Sequence, residues 1–158
     1  LPLPIVSPLK SCASPLDRVI AYLNELEPEE GFIYNNYTPE GTYHLSQPRM
    51  YFSNENGKKI DTIRQQIERW KNDNLLLGNE YYILLASLIE TVSFYANVAG
   101  VYAAFQKKWD PRAIKPFISK ISFIIKFVLP SPSGKAFGGY SSPPMLSFMN
   151  SDVRNTKT

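Results

Sequence analysis

The 158 residues carry 44% apolar and 20% charged side chains and a net charge of +3, the make-up of one ordinary globular domain rather than of a disordered tail. A single cysteine, Cys12, and a single histidine, His44, exclude a disulfide framework, a cysteine-rich zinc site and a multi-histidine metal centre, and argue against a Ser–His–Asp triad. No apolar run reaches the roughly 18 residues that a bilayer span needs, so no membrane partner is expected, and the thiol usage fits a cytoplasmic protein.

The charge is unevenly placed. Between Asp17 and Arg112 there are 13 acids and 10 bases, whereas after Ala113 only one acid, Asp152, stands among five lysines and one arginine. Three zones follow. Residues 1–15 form an extended Pro/Ser-rich lead-in with no leading positive charge, a poor signal peptide. Residues 16–129 hold the periodic patterns, and 130–158 are a Ser/Pro/Gly-rich stretch expected to be disordered.

The first expected helix opens at Pro15, with Ser14 as its N-cap and Leu16, Val19, Ile20 and Leu23 on one face, and it stops before Pro28. Glu30 to Tyr37 is aromatic and reads as a brief strand, followed by a turn over Thr38-Pro39-Glu40-Gly41 and an aperiodic loop to Phe52. The second helix is capped by Ser53 or Asn54. Ile60, Ile63, Ile67 and Trp70 recur at helical spacing along it, and it ends at Asn72-Asp73-Asn74. A third starts at Gly78-Asn79, with Asn79 as cap and Glu80 favourable at the positive end of the dipole. Its main stripe is Tyr82, Leu85, Ile89 and Val92, widened by Leu84, Leu88 and Thr91. The short link predicts an antiparallel pair. Asn97-Val98-Ala99-Gly100 breaks the third helix, helical turns resume over Val101–Lys108, and Phe117–Leu129 reads as strand more than helix.

Certain segments carry more than periodicity. They are Glu30-Gly31-Phe32-Ile33-Tyr34-Asn35-Asn36-Tyr37, Arg49-Met50-Tyr51-Phe52, Lys59-Ile60-Asp61-Thr62-Ile63-Arg64, Glu80-Tyr81-Tyr82 and Leu84 to Glu90. Asn97-Val98-Ala99-Gly100-Val101-Tyr102-Ala103-Ala104-Phe105, Lys107-Lys108-Trp109 and Arg112-Ala113 follow. In this order and spacing they resemble the segment of D12-class DNA adenine-N6 methyltransferases that lies between cofactor-binding part and catalytic strand, over roughly Val19 to Pro116. The resemblance implies methyl transfer from S-adenosylmethionine to the N6 of an adenine flipped out of duplex DNA. It also implies a mainly α recognition segment attached to a Rossmann-like core. Such enzymes hold the base with an [Asp/Asn/Ser]-Pro-Pro-[Tyr/Phe] motif and bind cofactor at a glycine-rich turn after a strand.

Neither motif is found in these 158 residues. Ser142-Pro143-Pro144-Met145 has Met145 where the stacking aromatic belongs and reads as a Ser/Pro loop; Phe137-Gly138-Gly139 resembles a glycine turn only superficially. The composition shift after Arg112 leads to the expectation of a truncated or damaged gene product with no catalysis of its own, so no catalytic or metal-binding residue is assigned.

The candidate DNA-contacting residues are Asn97, Tyr102, Phe105, Lys107, Lys108, Trp109 and Arg112, where polar, aromatic and basic groups interleave at a helix break. Lys58, Lys59 and Arg64 on the second helix join them. The bland readings stand beside these: Tyr102, Phe105 and Trp109 pack under the helices, and Lys58, Lys59, Arg64, Arg69 and Lys71 form a solvated face. Trp70 and the isoleucine stripe are core, Asn35 and Asn36 turn residues, and His44 a surface loop residue. Asp61, Glu68 and Glu90 lack a paired partner. The alternative function is a small helical protein-interaction module whose unburied stripes form a partner surface.

Overall fold

The computed structural model describes residues 15–100 and 106–121. Among them the secondary structure is helical, without strands: α1 Pro15–Glu25, α2 Phe32–Tyr37, α3 Asn54–Asn72 and α4 Gly78–Tyr95. No described helix is long and apolar enough to cross a membrane.

α1 buries Val19, Ile20 and Leu23 and ends before Pro28 as its periodicity predicts. α3 starts at Ser53, whose hydroxyl accepts from the Asn56 N–H. Its isoleucines Ile60, Ile63 and Ile67 are buried, with Trp70 partly buried against Tyr22 of α1, ring centroids 5.8 Å apart. Full burial of Leu23, Ile63 and Ile67 stabilises the fold by about 1.5–3 kcal/mol per side chain. α3 closes in a Schellman turn: Asn74 takes the left-handed conformation (φ 56°), its N–H reaches the Lys71 carbonyl, and the Leu75 N–H reaches that of Trp70.

Residues 32–37 are a helix, not the strand that their aromatic content suggests. Two devices override propensity. The Asp61 carboxylate on α3 accepts the N–H groups of Ile33 (2.9 Å) and Tyr34 (2.8 Å), satisfying the first turn of α2. Asn35 and Asn36 are helical rather than turn residues, and their side-chain amides donate back to the Gly31 and Phe32 carbonyls. Close approach of α2 to α3 depends on Gly57, where a Cβ would lie 2.5 Å from the Thr38 methyl. Gly41 turns the chain back so tightly that a Cβ there would meet the Tyr34 carbonyl oxygen at 2.1 Å.

α4 differs from expectation at its start and around its circumference. Leu77, not Asn79, is its N-cap residue, and the Glu80 carboxylate accepts the Leu77 N–H at 2.8 Å. The buried face is Tyr81, Leu84, Ser87, Leu88 and Thr91: the widening residues Leu84, Leu88 and Thr91 are buried as expected, whereas of the main stripe Tyr82 is 67% and Ile89 62% exposed and Leu85 and Val92 are half-buried. Two adjoining apolar stripes compete on this helix. The one that includes the small polar residues Ser87 and Thr91 is buried, and there Thr91 bonds to the backbone of Lys120. The helix ends at Tyr95, and Asn97 to Gly100 are non-helical, as predicted.

Candidate nucleic-acid interface

Residues 106–121 form a strap across the helices. The part from Phe117 to Ile121 is extended with strand-like alternation, Phe117 and Ser119 inward and Ile118 and Lys120 outward, but it is not paired as a strand. Side chains take the place of a neighbouring strand. Buried Asn56 donates to the carbonyls of Ala113 (3.0 Å) and Lys115 (2.9 Å) and accepts the Phe117 N–H (3.0 Å). Asn24 on α1 accepts the Ser119 N–H (2.7 Å) and donates to the Ser119 carbonyl (2.9 Å). Thr91 accepts the Lys120 N–H at 3.2 Å. Phe117 completes the attachment against Tyr95, ring centroids 4.9 Å apart.

Asn97 does the same work at the start of the strap. It is 3% exposed; its amide donates to the carbonyls of Met50 and Lys108 and accepts the Asp110 N–H. Its side chain is thus occupied in joining the 50–52 loop, the end of α4 and the strap. Around this anchor Lys107, Lys108 and Arg112 are exposed and Trp109 is half-buried. Gln106 to Lys108 are not helical. Arg112 grips Asp110 through Nε (3.1 Å) and Nη2 (2.9 Å), and these bonds with that of the Arg112 N–H hold the Asp110 carboxyl down to about 2. Tyr102 and Phe105 lie outside the described residues, as do Ser14, residues 122–129, the 130–158 tail and Ser142-Pro143-Pro144.

The bases of α3 are placed differently. Lys59 points back into the protein and donates to the Leu26 carbonyl, and burial lowers its pKa. Lys58 pairs with Glu30 at 3.1 Å and lies over the Tyr34 ring at 4.7 Å. Arg69 reaches Glu29 at 3.6 Å, and Lys71 covers the Tyr81 ring at 4.1 Å. Lys58, Lys59 and Arg69 offset the charge of the acidic link from Glu27 to Glu30, itself tied down by Thr62, which accepts the Glu29 N–H at 2.7 Å. Of the three α3 candidates only Arg64 is exposed. Glu68, without a partner by sequence, accepts the Tyr81 hydroxyl at 2.6 Å and thereby raises the phenol's pKa. His44 is exposed in the 38–52 loop as expected.

Asn24 and Asn56, which the sequence does not single out, and Thr91, expected only as part of an apolar face, position the strap. Their signal is a lone polar residue on an apolar helix face, and it does not say which carbonyl or amide it will meet. Among the described residues no group of acids, histidines or cysteines could hold a metal. The described glycines stand at helix starts, in a turn, inside α3 and at the break after α4, and none follows a strand.

The arrangement defines a helical module with an anchored strap that exposes basic side chains. The chain belongs to the D12 class N6 adenine-specific DNA methyltransferase family, whose model matches residues 12–128. It is 47% identical over 94 residues to the type II methyltransferase M.NlaIII of Neisseria lactamica, covering 60% of this chain and 27% of that protein. It is 45% identical over 98 residues to the modification methylase StsI of Streptococcus sanguinis (60% and 14%), and 45% identical over 85 residues to the type II methyltransferase M.FokI of Planomicrobium okeanokoites (54% and 12%). The matched stretch is thus less than a third of the length of each of these relatives. No solved structure matches the chain.

Proposed function

We propose that residues 16–129 are the DNA-recognition portion of a site-specific adenine-N6 methyltransferase of a cytoplasmic restriction–modification system. The portion docks duplex DNA beside a Rossmann-like core that binds S-adenosylmethionine and performs the methyl transfer. Alone it is not catalytic. The family match over residues 12–128 carries this reading. The exposure of Lys107, Lys108 and Arg112 around the Asn97 anchor supports DNA contact there, with Trp109, Tyr102, Phe105 and Arg64 as further contacts. Lys58 and Lys59 are bound within the protein and act on DNA only indirectly, by shaping the surface. We further infer that α3 and α4 run antiparallel. The turn between them is short, and Tyr81, near the start of α4, meets Glu68, near the end of α3. The exposed Tyr82 and Ile89 support contact with the core. The same residues are what favours the alternative of a protein-interaction module without a DNA role.

Binding of the purified chain to an adenine-containing duplex at two salt concentrations tests the reading, with S-adenosylmethionine titrated in a calorimeter. DNA affinity that falls steeply with salt, without cofactor heat, is expected. DNA binding that is missing or indifferent to salt overturns the DNA role, and methyl transfer by the chain alone overturns the assignment of catalysis to a separate core.

A further inference from the structure

The second half of α4 and the strap enclose a cleft of about 340 Å³, near the lower end of the range for small-ligand pockets. Phe94 and Ile118 line it, 61% and 51% exposed, and its rim carries Arg112, Lys115 and Lys120 against one acid, Glu90. Arg112 is committed to Asp110. Among the described residues Lys115 and Lys120 have no acidic partner within ion-pair distance, yet their backbones are pinned, Lys115 by Asn56 and Lys120 by Thr91. An apolar platform between two exposed lysines on a held backbone suits a nucleotide: an aromatic ring stacks on any base, and ammonium groups hold phosphates. Five residues of chain place the two lysine Cα atoms at most about 17 Å apart, a span that brackets one nucleotide and its flanking phosphates.

We propose that this cleft takes one unpaired nucleotide of a DNA strand, its base against Phe94 and Ile118 and its phosphates on Lys115 and Lys120. The proposal rests on the reading that this chain contacts DNA and adds a place on it that the sequence did not single out.

The test uses the whole 158-residue chain and a fluorescein-labelled, adenine-containing duplex with one unpaired 2-aminopurine. Wild type is compared with Lys115→Gln/Lys120→Gln and with Phe94→Ala, each checked by its circular dichroism melt. The double lysine variant is expected to flatten the dependence of log affinity on log salt by about 1.4–1.8, the loss of two phosphate contacts. Phe94→Ala is expected to weaken binding by about 5- to 160-fold and to abolish the change in 2-aminopurine emission. If Phe94→Ala melts early, the lysine variant decides alone, since its side chains are exposed. Wild-type affinity and salt slope in the variants would overturn the cleft as a DNA site, leave DNA contact to Lys107 and Lys108, and return the cleft to contact with protein. Failure of the wild type itself to bind DNA would overturn both readings at once.

Discussion

Asp61 is fully buried on α3, a position that would ordinarily be hostile to a carboxylate. It is tolerated because both oxygens accept backbone N–H groups from the first turn of a neighbouring helix, where the partial positive charge of the helix end favours an anion. The group that looks like an unpaired acid in sequence is a tertiary cap. Asp61→Asn keeps the shape but turns an NH2 group toward one of the two amides. It is expected to cost about 2–3 kcal/mol, the range for a lost charge-assisted bond with one buried donor left unmet. A urea melt measures this; a variant as stable as wild type would show that α2 does not depend on the cap. The same residue explains why composition misread 32–37. Phe32, Ile33, Tyr34 and Tyr37 favour strands by propensity, and the acceptor that makes a helix of them lies 27 or more residues later in the chain.

At the scale of elements, the extents of α1 and α3 were legible because each has one apolar stripe, punctuated by Pro28 or by Ser53 and Asn74. α4 was legible in extent and in part in orientation: Leu84, Leu88 and Thr91 are buried as expected, Tyr82 and Ile89 are not. Its residues are apolar on two adjoining faces, and periodicity alone does not rank them; Thr91 and its bond to the strap do. The strap itself was half legible: the alternation from Phe117 to Ile121 resembles a strand, while the pairing with asparagine and threonine side chains leaves no local trace. In the candidate interface the basic segment at 107–112 was visible from composition, and the inward turn of Lys59 was not, because its acceptor is a backbone carbonyl of a distant link. The turn from α3 to α4 gives a prediction of its own. Asn74 occupies the left-handed region with φ 56°, which glycine adopts without a Cβ penalty. Asn74→Gly should leave stability within about 0.5 kcal/mol, whereas Asn74→Val should cost about 1–2 kcal/mol by forcing a β-branched residue into that region. Thermal melts of the pair check this; equal melting temperatures would mean that the turn relaxes out of its Schellman form.

For the whole molecule, the proposed DNA role depends on the strap, since it carries Lys107, Lys108, Arg112, Lys115 and Lys120 while making few backbone bonds to the other described residues. Its attachment is concentrated in Asn56, 2% exposed, which meets three strap groups with one amide. Asn56→Ala strips all three at once and leaves two carbonyls and an N–H without partners at a site where water enters poorly. At about 1–3 kcal/mol for each unmet buried group, partly relieved as the strap lifts, the cost is expected to be about 3–5 kcal/mol. The helical core, built on α1, α3 and α4, does not use these bonds, so helicity by circular dichroism should persist at low temperature. Protease should cut between 112 and 121 far sooner than in wild type, and salt-sensitive DNA binding should fall in step with that cleavage, because the lysines lose their fixed placement while keeping their charge. A variant that is cut faster yet binds DNA as before would separate the strap from DNA contact. A variant as resistant as wild type would show that Asn24, Thr91 and Phe117 hold the strap without Asn56.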